Sequence, residues 1–251
     1  GPLLFLVYIN DITIGIDANI RLFADDASLY IVVDHPDTAC TALNSDLQTV
    51  YSWSQTWLVS FNPVKSQSML SRKLNKPAHL QLHTNNNAIE HVESHKHLGI
   101  TPSSDAKWSK HISLMLDKAW KHIGLLRSLK YHLNRPCLEK MLMSFIRPLL
   151  EYGDIIWDNC TNQQNSDIES VQNDAACIVT GATKYCNVNS MLAGLKWDSL
   201  TDRRRKHKLI ALYKMNHSLS PKYLIDLLPT QQQTRYNLRT ANNSPPITAR
   251  T

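Results

Sequence analysis

The hydrophobic period of the chain changes near residue 105, and this change limits the folds that the chain can adopt. Before that point, short apolar alternations are separated by turn-forming residues, which is typical of small strands with helices between them. After it, apolar residues recur every three or four positions, as on one face of a helix. The pattern predicts an α+β part over residues 1–103 and an all-helical, basic part over residues 106–228. Residues 229–251 are polar and contain proline, which predicts a poorly ordered tail.

Three segments organise the α+β part. Residues 2–14 are apolar on nearly all sides and predict a short buried helix. If its apolar run 3–9 is exposed in the isolated chain, we expect poor solubility. Residues 20–33 combine two β-forming arms around a polar centre, which predicts a hairpin. Residues 37–58 return to a helical period with one apolar face, formed by Ala39, Leu43, Leu47, Val50 and Trp57. Short strands are predicted further on, at 67–71, 79–83, 88–93 and 95–101.

The helical part carries capping signals in addition to its period. Asn134 is a suitable N-cap for a helix that follows it. Ser166 and Glu169 have the spacing of a capping box, and Gly181 is a natural terminator of the same helix. A further long helix is predicted over residues 198–217. The first helix of this part has an apolar stripe, formed by Trp108, Ile112, Met115, Ala119, Ile123 and Leu126.

Charge is distributed unevenly along the chain. The formal net charge is +6, but residues 1–64 contain one basic residue against seven acidic ones, and the remainder is strongly basic. This is either ordinary variation between solvated faces, or an acidic cation-binding site followed by a surface for phosphates.

Cysteine and histidine spacing argues against two common kinds of site. The five cysteines have wide spacings without a CxxC pair, and the histidine clusters lack ligand spacings, so we expect neither a disulfide framework nor a zinc site. No signal peptide is visible, and the apolar run 3–9 is too short to cross a bilayer. We therefore expect no membrane partner, while the oligomeric state stays open.

Two adjacent acids, Asp25 and Asp26, occupy the centre of the predicted hairpin. An isolated Asp-Asp pair is most often a solvated turn. Here both flanks are apolar β-formers, and two carboxylates at a tight turn between buried strands are costly unless a cation compensates them. Carboxylate oxygens suit Mg²⁺, which binds one or two carboxylates together with water and substrate phosphates. The pattern therefore predicts a divalent-cation site.

The motifs around these acids resemble a known family. GPLLFLVYINDI (residues 1–12), followed by LFADDASLY (residues 22–30), is similar to the palm of reverse transcriptases, specifically those of jockey-like LINE (non-LTR) retrotransposons. The resemblance implies a partial polymerase palm, an antiparallel hairpin with flanking helices, followed by a thumb-like region. It also implies that Asp25, and with a lesser role Asp26, are catalytic and bind Mg²⁺ or Mn²⁺. The implied partners are an RNA template, a DNA primer with its product duplex, and deoxynucleoside triphosphates (dNTPs).

Further motifs of the family follow in order. LVSFNPVKS (residues 58–66) resembles an L-x-x-N-x-x-K-S segment, whose lysine lies near the phosphates of the incoming nucleotide. That role falls on Lys65, which without the motif is an ordinary exposed loop lysine. HKHLGI (residues 95–100) resembles the Y-K-Y-L-G-V hairpin that holds the primer strand. The resemblance gives this role to His97, Leu98 and Gly99, and His97 stands where tyrosine is common. The helical segments IRPLLEYGDIIW, LKWDSLTDRRR and LSPKYL match the region that follows the palm.

The family's first catalytic aspartate and a Gln-Gly-Ser motif are expected upstream of Gly1. The chain therefore resembles a fragment of an RNA-directed DNA polymerase that copies retrotransposon RNA into DNA by two-metal nucleotidyl transfer. We expect the fragment to be inactive alone, because two-metal chemistry needs the upstream carboxylate as well. The alternative is a non-catalytic, nucleic-acid-binding remnant of a decayed or co-opted retroelement.

Lysines of the helix predicted from residue 108 onwards are candidates for contact with a nucleic-acid backbone. Lys110, Lys118 and Lys121 lie mostly off its apolar stripe, and in polymerases the helical thumb after the palm tracks the product duplex. A solvated amphipathic helix is the other interpretation of these lysines. Trp108 and Trp120 are expected in the core rather than as platforms for base stacking.

The densest basic run begins with Arg203, Arg204 and Arg205 and continues to Lys208. Contact with RNA or DNA fits this run, and so does a nuclear-import signal. However, Asp198 and Asp202 precede it at helical spacings, so ion pairs within the helix can also neutralise part of the charge. The sequence supports two roles of this run equally: contact with a nucleic acid, and ion pairing within the protein.

Overall fold

The computed structural model describes residues 1–71, 80–84, 87–183 and 186–228. The chain forms two compact units, Gly1–Ile112 and Ser113–Thr251. The predicted poorly ordered tail lies outside the described residues. Within the described ranges, no helix combines the length and the hydropathy needed to cross a bilayer. The assignment of the two parts to palm and thumb stays a prediction.

The first unit combines helices with small sheets, in agreement with the predicted α+β class. β1 and β2 pair antiparallel, as do β4 and β5, whereas β3 and β6 pair parallel. The last four strands are two residues long and therefore shorter than predicted, and the prediction of a strand over 95–101 is wrong, because a tight turn closed by the His97–Ile100 bridge lies there. The elements in chain order are α1 (Pro2–Asn10), a 3-10 turn (Asp11–Thr13), β1 (Asn19–Phe23), β2 (Asp26–Tyr30), α2 (Pro36–Trp57), a second 3-10 turn (Pro63–Lys65), β3 (Gln67–Ser68), β4 (His83–Thr84), β5 (Asn87–Ala88) and β6 (Glu90–His91).

Helix α2 organises the packing of the first unit. Leu43 belongs to one buried apolar cluster, and Val50, two turns later, belongs to a second. Ile16 and Leu29 contact both clusters, so the β1–β2 hairpin packs against this helix. The extent of α2 agrees with the prediction to within one residue. Trp57, predicted on the buried face, is instead 40% exposed because it lies at the last turn.

Helix α1 is not the buried helix that its apolar composition predicts. Leu3 and Leu4 are 78% and 74% exposed, and Ile9 is the buried residue of the helix. Tyr8 anchors it instead, because its hydroxyl donates a hydrogen bond to the carbonyl oxygen of Trp57. The first unit thus covers one end of α1 and leaves an apolar surface exposed.

A buried carboxylate attaches the hairpin to α2. Asp46 is 3% exposed, and its two oxygens accept hydrogen bonds from the backbone N–H groups of Asp17 and Ala18 at 3.0 and 2.9 Å. These residues directly precede β1, so the contact fixes the start of the hairpin on the helix. A buried N–H group left without a partner costs about 1–3 kcal/mol, and Asp46 removes that cost.

The elements after residue 108 are helical, as predicted. Helix α3 (Ser109–Leu129) crosses the division between the units. The later elements are α4 (Arg135–Met141), a π-turn (Leu142–Ile146), α5 (Arg147–Glu151), α6 (Asp154–Trp157), α7 (Asn162–Thr180), α8 (Val188–Leu195), α9 (Leu200–Asn216) and α10 (Lys222–Ile225).

The apolar stripe of α3 is largely confirmed. Trp108, at its start, is only partly buried, and the expectation that Trp120 lies in the core is wrong. Trp120 is 40% exposed because it follows a stripe position directly, and successive residues of a helix do not share a face. The buried members of the stripe are Ile112, Met115, Ala119, Ile123 and Leu126.

Asn134 caps α4 as predicted, since its side chain accepts a hydrogen bond from the backbone N–H of Cys137. The helix then widens into the π-turn, which ends immediately before Arg147 and Pro148. Proline has no N–H and its ring clashes with the carbonyl one turn earlier, so the regular ladder does not pass through this position.

The capping box of α7 lies earlier than predicted. It is formed by Thr161 and Gln164, and the helix already begins at Asn162. Ser166 therefore lies inside α7 instead of at its start. Gly181 ends the helix in the left-handed region at φ +73°, as predicted.

Glu169, expected to complete that box, caps a different helix. Its carboxylate accepts hydrogen bonds from the backbone N–H groups of Leu200 and Thr201, in the first turn of α9. The predicted helix over 198–217 is confirmed as α9. Helix α8 was not predicted; Asn187 caps it by accepting from two backbone N–H groups.

We predict that Asp46→Ala lowers the free energy of unfolding by about 1–3 kcal/mol, because it leaves two backbone N–H groups at the start of β1 without their acceptor. Urea denaturation followed by circular dichroism measures the change. Asp34→Ala, at an exposed position, is the matched control and should alter stability by no more than about 0.5 kcal/mol. Equal losses in the two variants would contradict the anchoring role of Asp46.

Candidate active site and nucleic-acid interface

The two acids lie at the tip of the hairpin, where the sequence places them. Phe23 pairs with Asp26, which leaves Ala24 and Asp25 as a two-residue loop. Ala24 adopts the left-handed region at φ +52°, which is uncommon outside glycine and asparagine. Two-residue hairpin loops need positive φ because only the primed turns match the twist of the strands. Strand pairing therefore holds the loop in a strained conformation.

Both carboxylates are open to solvent. Asp25 and Asp26 are exposed, and neither forms a hydrogen bond or ion pair through its carboxylate within the described part of the chain. The premise of buried flanking strands is corrected: Ile20 and Leu22 face inward, but Phe23 is 62% exposed. The acids therefore carry less desolvation cost than the sequence suggested, and their oxygens are available to a ligand.

The chemistry of these two side chains fits a hard divalent cation. Carboxylate oxygens are the ligands that Mg²⁺ accepts, and the ion keeps several waters and binds substrate phosphates. In the residues that the structure describes, no three His, Cys, Asp or Glu side chains are grouped to hold a metal ion. Asp25 and Asp26 would supply two donors, and a bound Mg²⁺ would take its other ligands from water and phosphates, so the metal site stays a prediction.

Lys65 lies in a short, well-defined turn. The side chain of Asn62 accepts a hydrogen bond from the backbone N–H of Val64 at 3.0 Å, and this closes the 3-10 turn that contains Lys65. The hydroxyl of Ser66 donates to the carbonyl oxygen of Asn62. The lysine itself is exposed, and its contact with nucleotide phosphates stays a prediction.

His97, Leu98 and Gly99 form a tight turn of the predicted kind. His97 and Ile100 exchange both backbone hydrogen bonds at 2.8 and 2.9 Å. Leu98 and Gly99 have φ values of +47° and +84°, as in a type I′ turn, where glycine is favoured. The side chain of His95, 6.3 Å from the His97 ring between centroids, is tied to Gln67. Contact of this turn with a primer stays a prediction.

The basic run on α9 is used largely inside the second unit. Arg204 is 1% exposed, and it donates hydrogen bonds to Asp158 at 2.9 Å and to Asn165 at 2.6 Å. Its guanidinium also lies 5.7 Å from the centre of the Trp157 ring. The prediction that Arg204 contacts a nucleic-acid backbone is corrected, because a side chain this deeply buried does not reach a phosphate in solution.

Most neighbours of Arg204 are neutralised in the same way. Arg203 pairs with Glu151, and this hydrogen bond raises the pKa of the guanidinium. Lys208 pairs with Asp158, and the imidazole of His207 lies 2.5 Å from Asp154. Three acids of the α5–α6 segment therefore accept most of this charge. We did not predict these pairs between the α5–α6 segment and α9.

Two members of the run differ from the rest. Lys206 pairs with Asp198 at 2.6 Å, but Asp198 lies before α9 and eight residues from Lys206, so this is not one of the ion pairs predicted within the helix. Asp202 is not part of such a pair; its carboxylate accepts a hydrogen bond from Ser199. Arg205 is exposed and forms no hydrogen bond or ion pair through its side chain among the described residues. It is the cation of the run that stays available to an external anion.

The lysines of α3 remain on the surface. Lys118 and Lys121 are exposed, whereas the exposed Lys110 donates a hydrogen bond from Nζ to Ser94 Oγ at 2.6 Å. Surface ammonium groups of this kind can bind phosphates without reading sequence. Their role in contacting a nucleic acid stays a prediction.

Comparison with known proteins identifies relatives among mobile elements. The chain is 23% identical over 221 residues to a probable RNA-directed DNA polymerase from transposon X-element of Drosophila melanogaster, which covers 82% of this chain and 24% of the relative. It is also 23% identical over 217 residues to the RNA-directed DNA polymerase from mobile element jockey of the same organism, covering 81% and 23%. No protein-family model and no solved structure matches the chain.

These similarities relate the chain to the RNA-directed DNA polymerases of transposable elements. Within that class it resembles the reverse transcriptases of jockey-like non-LTR retrotransposons, so the resemblance carried by the motifs is confirmed. The chain spans about a quarter of the length of the curated relatives that it matches.

We predict that Arg204→Ala lowers the free energy of unfolding by about 3–5 kcal/mol, since it leaves buried acceptors without their cation. Arg205→Ala, one residue further along, should change stability by no more than about 0.5 kcal/mol. Thermal unfolding of the two variants gives the comparison. A loss for Arg204→Ala as small as that expected for Arg205→Ala would show that burial of Arg204 does not stabilise the second unit.

Proposed function

We propose that this chain is the part of an RNA-directed DNA polymerase that carries the second group of catalytic aspartates. Asp25 is the principal catalytic residue, and Asp26 has a lesser role. The observation that carries the proposal is the position of two exposed, unpaired carboxylates at the tip of a two-residue hairpin loop, within an FADD motif. The similarity to transposon polymerases gives the reaction class.

Asp25 and Asp26 would hold Mg²⁺ or Mn²⁺ in the assembled polymerase. When bound, the metal supplies Lewis acidity to the attacking 3′-hydroxyl and to the leaving pyrophosphate. The hairpin positions the carboxylates and keeps them in solvent, where they can meet a dNTP and its phosphates. The third carboxylate for two-metal chemistry would be the family's first catalytic aspartate, supplied by another part of the polymerase. We therefore propose that this chain alone does not extend a primer.

Two turns of the first unit complete the proposed nucleotide and primer contacts. Lys65 would neutralise phosphates of the incoming dNTP, since its ammonium is exposed on a fixed turn. The turn at His97, Leu98 and Gly99 would hold the primer strand. Histidine has a smaller ring than the tyrosine common there, so this contact relies more on the backbone of the turn.

We also propose that residues 1–103 act as a palm and residues 106–228 as a thumb that follows the RNA template and DNA product duplex. Lys118, Lys121 and Arg205 are the phosphate contacts best supported by exposure, and Lys110 joins them if it leaves Ser94. Arg203 stays with Glu151 in this proposal. Contacts of this kind bind the backbone of either strand and carry no base specificity.

Metal binding at the hairpin can be tested on this chain without synthesis. Mn²⁺ should broaden the NMR signals of backbone amides close to the carboxylates, because a paramagnetic ion shortens relaxation nearby. We expect the effect at Ala24 and Ala27, and we expect Asp25→Asn to remove most of it. Asp34→Asn is the control, since it changes an exposed acid outside the hairpin. Broadening that persists at Ala24 and Ala27 in Asp25→Asn would remove Asp25 from the metal site.

Duplex binding tests the proposed thumb surface. We expect the affinity for an RNA–DNA duplex to fall linearly on a log–log plot against salt, with a slope of about −0.9 for each phosphate contact. Lys118→Ala and Lys121→Ala should each reduce that slope by about one unit. Lys206→Ala, whose ammonium is already paired, and Asp25→Asn should leave it nearly unchanged. Binding that is insensitive to salt would contradict a phosphate-tracking surface.

A further inference from the structure

The first unit contains a cleft that the proposed catalytic role does not use. It lies between the C-terminal half of α2, the segment from Val59 to Ser66 and the β4–β5 pair, and its volume is about 150 Å³. Two of its walls belong to regular elements, α2 and the β4–β5 pair. The metal-binding acids are not among its lining residues.

An aromatic ring forms part of the wall of this cleft. Phe61 lines it and is half-buried, with its ring centre 6.5 Å from that of Trp53. Trp53 in turn packs against Tyr8 and Trp57, at 6.0 and 6.5 Å between ring centres. Phe61 is therefore supported from behind by a group of aromatic side chains. A flat ligand in the cleft meets a rigid aromatic wall beside aliphatic neighbours such as Ile89.

The polar groups that line the cleft are neutral. Gln55 and Asn87 contribute amides, and Ser54, Ser60 and Thr84 contribute hydroxyl groups. Among the described lining residues there is no charged side chain, so the lining matches neither a phosphate nor a metal ion. Amides and hydroxyls both donate and accept hydrogen bonds, which suits the edge of a neutral heterocycle.

The size of the cleft limits the ligand to about one ring. Apolar cavities of about 150 Å³ hold a single benzene-sized ring. A pyrimidine has that size, an aromatic face and a mixed donor and acceptor edge. A purine would have its second ring in the open mouth of the cleft.

We propose that this cleft binds a single pyrimidine base that has left the stack of a nucleic-acid strand. Lys65, assigned above to the phosphates of the incoming dNTP, lies between the lining residues Pro63 and Ser66 but is not needed for this base contact. The inference adds a base contact to the phosphate contacts described above. That the base belongs to a nucleic-acid strand rests on the proposed function. The size and chemistry of the ligand rest on the cleft itself.

The test compares two strands with the same number of phosphates. A labelled oligothymidylate and an abasic strand of equal length are titrated with the full chain, and binding is followed by fluorescence anisotropy. We expect the oligothymidylate to bind roughly five- to hundredfold more tightly, the range given by stacking of one base on an aromatic side chain. A strand that carries 5-iodouracil should crosslink on irradiation to peptides that contain Tyr51 or Phe61.

Variants locate the effect in the cleft. Phe61→Leu removes the aromatic wall and should abolish most of the preference for the oligothymidylate, whereas Phe145→Leu, at an exposed position outside the cleft, should retain it. Since Phe61 also contacts the core, Asn87→Ala provides a second variant at an exposed position. It should reduce the preference several-fold without changing the circular dichroism spectrum.

Three results would overturn the inference. One is equal affinity for the oligothymidylate and the abasic strand, with duplex binding still dependent on Lys118 and Lys121; the proposed function would then stand without the base site. The second is a crosslink outside the cleft, together with a preference that survives Phe61→Leu and Asn87→Ala. The third is displacement of the strand by micromolar thymidine triphosphate, which would assign the cleft to a free nucleotide. Failure of all strands and duplexes to bind would instead contradict the proposed function itself.

Discussion

The hydrogen bonds of Asp46 are the constraint on which the first unit depends most. A hairpin of two five-residue strands is marginal by itself in water, so the position of its tip follows from what holds its base. Asp46 provides this at the start of β1, and the apolar contacts of Leu29 continue it along β2. The carboxylates at the tip can therefore be exposed and weakly held themselves, while the strands below them are fixed to a helix of 22 residues.

The second unit is organised around a buried cation. Arg204 is surrounded by an acid, an amide, a hydroxyl and the face of Trp157, and these groups come from α6, α7 and α9. A buried guanidinium needs partners of this kind, because breaking a buried pair is far more costly than never forming it. The result is a specific arrangement of three helices. Glu169 adds a second contact between α7 and α9, because its carboxylate accepts hydrogen bonds from backbone N–H groups in the first turn of α9.

Local patterns in the sequence were sufficient for the long elements. The period of α2 and the apolar stripe of α3 determine those helices, because each residue's environment follows from its neighbours in the chain. The hairpin at Asp25 could be predicted for the same reason, whereas the turn at Gly99 was implied by the resemblance to the family, since the local pattern predicted a strand there. The caps at Asn134 and Gly181 were also predicted locally. The pairing of the charges and the choice between two capping boxes were not, because they depend on contacts between distant residues. Thr161 and Ser166 start equivalent capping-box patterns, and contact of Glu169 with α9 is what separates them.

The candidate site shows the same division. The placement of the acids at a tight turn was predictable, whereas their exposure depends on how far the strands are covered. The sequence allowed the basic run either to contact a nucleic acid or to form ion pairs within the protein. Most of its members form ion pairs, with acids about fifty residues away in the chain. The cleft beside Phe61 had no signal in the sequence, since its walls come from three separate segments and its lining lacks charge.

The pairing of the basic run has a consequence for how the chain meets a polyanion. Net charge describes the field at long range, but a cation paired with a carboxylate contributes mainly a local dipole. Although residues 203–208 are the densest basic segment, Arg205 is the member that adds an uncompensated charge to the second unit. In the proposed binding to a nucleic acid, the attraction would come from Arg205 and from exposed lysines dispersed over the surface, such as Lys118 and Lys121 of α3. A field spread in this way would attract a strand from many directions and leave orientation to short-range contacts.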